Sequence, residues 1–257
     1  MSDTTVQPDF EGRKVFFLYP TASVQNQIIT ELIQQEYEVY TSKNHAHIVR
    51  ALKKHTDSVI FVNIDEGQSE EEWEKWFNTL KNSLPNLQFG VFSSNTSDEL
   101  RDKYQNEIKI SCGFMNLKLD MSKTTERIFT VLEKLNVKGR RKYIRASTED
   151  EPTATINIPF GGSYTNGSIK DISVVGFSCT FDQDPGFRKN SLYKDMQIRL
   201  KTMLLKVEAV MFGSRKSNND DTIYVFLFTQ RIDPEVRVKI RKYIQQNLQS
   251  KMDTLIH

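Results

Sequence analysis

Nowhere in this 257-residue chain is there a run approaching the ~20 consecutive apolar residues that a membrane-spanning helix needs. Nor does an early segment join a basic start to an apolar stretch of signal-peptide length, so the expectation is a cytoplasmic protein without a membrane span. Cysteine is scarce: Cys112 and Cys179 stand far apart in apolar surroundings, with no CxxC and no histidine at ligand spacing. That excludes a disulfide framework and a zinc site and predicts two reduced, buried thiols. His45, His47 and His55 have no carboxylate or cysteine at ligand spacing beside them, so solvated helix positions are expected and no metal site. Charge of one sign is lacking too. With 35 Lys and Arg against 33 Asp and Glu the net charge is +2, so only local clusters can argue for an anionic partner. No nucleophile, base or metal constellation of an enzyme is found, and neither a catalytic residue nor a cofactor is predicted.

What is present divides into two domains, each large enough for its own core. Residues 1–12 are polar, contain Pro8 and Gly12, and read as a loose tail. Residues 13–137 alternate strands with helices. Val15 to Leu18 and Val59 to Val62 are continuous apolar runs of strand length, with Tyr37 to Tyr40, Phe89 to Phe92 and Ile108 to Phe114 as further strands. The first helix has Thr21 or Ser23 as N-cap and Val24, Ile28, Leu32 on one stripe, widened by Ile29 and Ile33. Ala46, Val49 and Leu52 mark a second. A third carries Trp73, Trp76, Phe77 and Leu80 at i, i+3, i+4, i+7, which reads as core, after an acidic start at Glu70 to Glu74. Ile128, Val131, Leu132 and Leu135 line the last. This alternation predicts a parallel sheet with flanking helices, an α/β fold.

At Val137-Lys138-Gly139 the helical period stops. Residues 138–146 form a basic linker, and 138–257 are strand-rich. Ala154 to Phe160 leads to a Gly161-Gly162 turn, and Asn166-Gly167 reads as a further turn before Ser168 to Ser173. Val174 to Phe181, Met196 to Leu205, Val207 to Phe212 and Thr222 to Thr229 follow at hairpin-like intervals. About six such strands predict a small closed antiparallel barrel. Pro234 opens an amphipathic helix with Val236, Ile240, Ile244 and Leu248, suited to plugging the barrel end or pairing with another subunit.

Two short runs carry the function. Arg141-Lys142-Tyr143-Ile144-Arg145 sets two guanidinium groups four residues apart, with Arg140 beside them. Each is a planar fork that stays charged and matches phosphate oxygens or the O6 and N7 edge of guanine. Asp171-Ile172-Ser173-Val174-Val175-Gly176 supplies a carboxylate, a hydroxyl and a Cβ-free position. A carboxylate accepts from the ring N–H and exocyclic amine of guanine, and adenine lacks that donor pattern. Taken singly, the basic run also reads as a solvated linker, Asp171 and Ser173 as turn-capping residues, and Gly176 as a bulge.

Together the runs read RxxxR…DxSxxG, which resembles the PilZ family of bacterial cyclic di-GMP receptors over roughly Lys138 to Lys251. The resemblance implies a β-barrel that binds cyclic di-GMP, with Arg140, Arg141 and Arg145 holding phosphate and guanine, Asp171 and Ser173 reading the base, and Gly176 permitting close approach. It also implies control of motility or surface polysaccharide. Residues 13 to 136 resemble the response-regulator receiver domain. A working receiver needs acids after the first strand and an aspartate after the third, and here those places hold Tyr19-Pro20 and Asn63. Asp65 comes two residues later, while Ser93 or Ser94 and Lys118 are near the family's hydroxyl and lysine. A receiver-like domain kept as a docking or dimerisation surface is the reading, so a protein partner is expected through it.

The function expected is a non-enzymatic receptor in which ligand capture orders the 137–146 arm and changes the interdomain geometry. Rivals are a phosphorelay regulator with an active receiver, and a single-stranded nucleic-acid binder. Against the latter, the aromatics take core-like positions and the basic residues gather on one short arm. A second barrel in front is opposed by the long helical stripes.

Overall fold

The computed structural model describes residues 12–118, 120–217 and 221–256, so the expected tail at 1–12 lies outside the described residues except for Gly12. Two compact units divide the chain, one of Met1–Lys142 with Leu248–His257 and one of Tyr143–Asn247.

The first unit is the expected α/β fold. Five parallel strands, β1 (Val15–Leu18), β2 (Val39–Ser42), β3 (Val59–Asn63), β4 (Gln88–Ser93) and β5 (Gly113–Asn116), pair in the order β2-β1-β3-β4-β5. Successive side chains of a strand face opposite ways, and helices cover both faces, so β1 and β3 are apolar at every core position. Phe16, Leu18, Ile60 and Val62 join one core with Trp73 and Phe77, and Val15, Phe17, Val59 and Phe61 join another with Ile28 and Leu132. The covering helices are α1 (Thr30–Gln34), α2 (His45–Lys54), α3 (Glu70–Ser83), α4 (Asp98–Asp102) and α5 (Met121–Lys134), with π-helical turns at Val24–Ile29 and Lys103–Glu107. The acidic start of α3 is a capping box, in which the Ser69 side chain accepts from the Glu72 N–H and the Glu72 carboxylate accepts from the Ser69 N–H.

Several elements of this unit differ from those the sequence predicts. The strand read at Tyr37 to Tyr40 runs Val39–Ser42, and that read at Ile108 to Phe114 begins only at Gly113. In α2 the buried stripe is Ile48, Ala51 and Leu52, while Ala46 is exposed. The first helix starts as a π-helix, with Thr21 Oγ1 accepting from the Val24 N–H at 3.3 Å. The helical stretch from Asp98 to Glu107 was not expected: its few apolar residues, Leu100 and Tyr104, are outnumbered by charged ones.

The second unit is a closed antiparallel barrel. Strands β7 (Thr155–Phe160), β8 (Ser163–Ser173), β9 (Gly176–Phe181), β10 (Leu192–Leu200), β11 (Met203–Lys216) and β12 (Thr222–Phe228) pair in the order β8-β7-β10-β11-β12-β9, and β9 closes on β8. The short β6 (Ala146–Ser147) adds to β8 from outside that ring. Closure leaves no free edge in the ring and turns alternate residues inward, where Ile156, Ile198, Cys179 and Phe226 are fully buried. Phe187, from the β9–β10 connection, sits 4.8 to 5.8 Å from the rings of Tyr193, Tyr224 and Phe226. Gly161 and Gly162, at φ 61° and 84°, make the turn expected of them. Asn166-Gly167, by contrast, lies within β8 and makes no turn. The strand read at Met196 to Leu205 is two strands, joined where Lys201 takes φ 54°.

Helix α6 (Pro234–Ile256) counts with the barrel through Asn247, where Tyr243 donates from its hydroxyl to the Glu151 carboxylate at 2.7 Å and Asn247 donates at 3.4 Å. Its last residues count with the α/β unit.

Candidate functional site

The basic arm is pinned at both ends. At one, the Arg13 N–H donates to the Val137 carbonyl at 2.8 Å, and the Lys138 ammonium lies 4.6 Å above the Tyr37 ring. At the other, β6 pairs Ala146 with Ile172 and Ser147 with Asp171. Thr148 completes the anchor, donating from its buried hydroxyl to the Ile169 carbonyl at 2.6 Å and from its N–H to Lys170 at 2.9 Å. Between the anchors Arg140 and Arg141 are exposed on irregular backbone that counts with the first unit.

Arg145, one residue before β6, is brought to Asp171: Nη1 stands 3.5 Å from Oδ1, with the side chains 51% and 28% exposed. What aims Asp171 outward is a bulge. Against β9, Ile169 pairs with Cys179 and Asp171 with Ser178, so Lys170 is an extra residue, and both Ile169 and Ile172 can turn into the core. Asp171 then meets Ser178, whose buried hydroxyl donates to Oδ2. The carboxylate is thus held by its buried ladder partner Ser178 at Oδ2 and by the half-exposed Arg145 at Oδ1.

Ser173 and Gly176 close the β8–β9 turn. Ser173 Oγ donates to the Gly176 carbonyl at 3.1 Å and accepts from the Val175 N–H at 3.4 Å. A Cβ on Gly176 would stand 2.2 Å from the Phe226 carbonyl oxygen, so this glycine lets β12 approach β9. Arg145, Asp171, Ser173 and Gly176 therefore share one edge of the barrel. Ser178 was missed by sequence reasoning. The signal that places it is the alternation Gly176-Phe177-Ser178-Cys179, in which Phe177 and Cys179 point inward and Ser178 outward.

In the α/β unit, Asn63 ends β3 and donates from Nδ2 to the Tyr19 carbonyl at 3.1 Å. Asp65 accepts from Ser93 Oγ and the Ser94 N–H, both at 2.6 Å, so it ties two loops together. Lys118 donates its N–H to Asn116 Oδ1 at 2.8 Å. His45 Nδ1 is 2.9 Å from the Tyr19 hydroxyl, and among the described residues no group of three His, Cys, Asp or Glu side chains is placed to hold a metal. Burial pushes the Cys112 thiol up to about 11 and Cys179 well above its ordinary value, so neither is a thiolate at neutral pH. No described helix is long and apolar enough to cross a membrane.

The architecture is a five-stranded parallel α/β unit followed, after a basic arm, by a closed six-stranded antiparallel barrel. No protein-family model matches the chain, and no curated protein matches it. Among solved structures, it is similar to the PilZ domain of YcgR with c-di-GMP from Escherichia coli, at 14% identity and a TM-score of 0.39, over 45% of this chain and 96% of that one. The K. pneumonia MrkH–c-di-GMP complex gives 18% identity and a TM-score of 0.41, over 46% of this chain and 57% of that one. A response regulator from Thermotoga maritima gives 15% and 0.40, over 48% of this chain and 98% of that one.

Proposed function

We propose that the chain is a non-enzymatic receptor for cyclic di-GMP, which it takes up with the arm residues Arg140, Arg141 and Arg145 and the barrel-edge residues Asp171, Ser173 and Gly176. The observation that carries the reading is the Arg145–Asp171 pair on the outside of the barrel, within the RxxxR…DxSxxG pattern. A half-exposed ion pair at 3.5 Å contributes little, about 0 to 1 kcal/mol, so a ligand phosphate can draw Arg145 away at small cost. Asp171 then accepts from the guanine N1–H and exocyclic amine. The arm joins the two units, and ordering it around a ligand would change their mutual arrangement, which a protein partner of the α/β unit then reads.

Titration of the full chain with cyclic di-GMP, followed by calorimetry and by hydrodynamic radius, tests this. Saturable binding with a change of radius is expected. Arg145→Ala should weaken binding by about 3 kcal/mol, roughly a hundredfold in Kd, because charge-assisted bonds to phosphate are lost. Wild-type affinity in that variant rejects the grip proposed for Arg145, and an unchanged radius at saturation rejects the change of arrangement.

A further inference from the structure

Asp171 is the group asked to choose between bases, and a carboxylate chooses only if both oxygens face the ligand edge at a fixed angle. Left to itself it turns easily about its terminal torsion, which is broad and roughly two-fold. Among the described residues two side chains, Arg145 and Ser178, restrain it. Arg145 reaches Oδ1 at 3.5 Å from a half-exposed position and is the same side chain that the ligand phosphate calls on. Ser178 is different in kind. It is 4% exposed, it lies on β9 directly opposite Asp171 in the ladder, and its hydroxyl donates to Oδ2 from that neighbouring strand. Its burial sets it apart from the half-exposed Arg145, and Oδ2 keeps lone-pair capacity for a second donor.

Building on the cyclic di-GMP reading above, we infer that Ser178 is the positioning residue of the site: it locks the Asp171 carboxylate so that both oxygens meet the guanine N1–H and 2-amino group together. The bulge at Lys170 makes this possible, because without the extra residue Asp171 and Ser178 would not be ladder partners. Selectivity then comes from a side chain that does not touch the ligand. Arg145 supplies attraction and is free to leave the acid, while Ser178 supplies angle and stays.

The test compares cyclic di-GMP with its inosine counterpart, which keeps the N1–H and lacks the 2-amino group. Ser178→Ala should weaken cyclic di-GMP binding about tenfold and change binding of the inosine analogue less than twofold, so that the preference for guanine collapses. Ser178→Thr, which keeps the hydroxyl, should restore both. Equal losses for the two nucleotides in Ser178→Ala would mean a merely structural role and overturn the inference, as would an unchanged preference. If the wild-type chain binds neither nucleotide, the receptor reading itself fails and takes this inference with it, an outcome distinct from wild-type binding with an indifferent Ser178.

Discussion

Gly176 has the least freedom of the site residues. Any side chain there meets the Phe226 carbonyl and the Leu227 backbone, at 2.2 and 3.1 Å, so backbone must move to admit it. Gly176→Ala is expected to cost about 1 to 3 kcal/mol of barrel stability, the usual range for forced overpacking, read from urea denaturation. A variant of unchanged stability would show that the approach of β12 is looser than this contact implies. The glycine of the DxSxxG run therefore has a packing reason for being there. Ser173 likewise closes a turn. Of the four motif residues on the barrel edge, Arg145 and Asp171 are the two whose partners are exposed enough to be exchanged for a ligand.

At the scale of elements, the end of β3 decides what the α/β unit can do. The strand finishes on an amide, Asn63, and the nearest acid, Asp65, is already accepting from Ser93 Oγ and the Ser94 N–H. Incubation with acetyl phosphate and magnesium should therefore add no phosphoryl group, checked by intact mass. A gain of one phosphate would restore the phosphorelay alternative. Elements of this unit were legible where burial is complete on both faces, because β1 and β3 then read as unbroken apolar runs. The barrel was harder. Asn166-Gly167 has the composition of a turn, yet β8 runs straight through it, passing there from pairing with β7 to pairing with β9. Gly167 serves that corner, since a Cβ would stand 2.5 Å from the Thr180 carbonyl. Conversely the β10–β11 turn is made by Lys201 at positive φ, a residue that gives no turn signal in sequence.

For the whole molecule, α6 is one unbroken helix whose residues count with both units. Its final stretch is part of the α/β core: Met252 is 3% exposed, and the Gln249 side chain exchanges two 3.0 Å hydrogen bonds with the backbone of Thr41 on the edge strand β2. Met252→Ala should lower the stability of the α/β unit by about 2 to 3 kcal/mol, as for other buried methionines. Both tryptophans, Trp73 and Trp76, stand on α3, so their fluorescence during denaturation reports on that unit. An unmoved midpoint would show that the tail adds nothing to the unit's stability.

The fully buried strands, the long helical stripes, the α/β-then-β order and the pairing of an arginine run with an acid-hydroxyl-glycine run were legible in the sequence alone, because periodicity and side-chain chemistry are local properties. Which acid oxygen meets which donor was decided only in three dimensions. A single extra residue at Lys170 shifts the register of β8 against β9, and register sets which side chains face each other across a sheet. The partnership of Asp171 with Ser178 depends on that shift, which no pattern within either strand records.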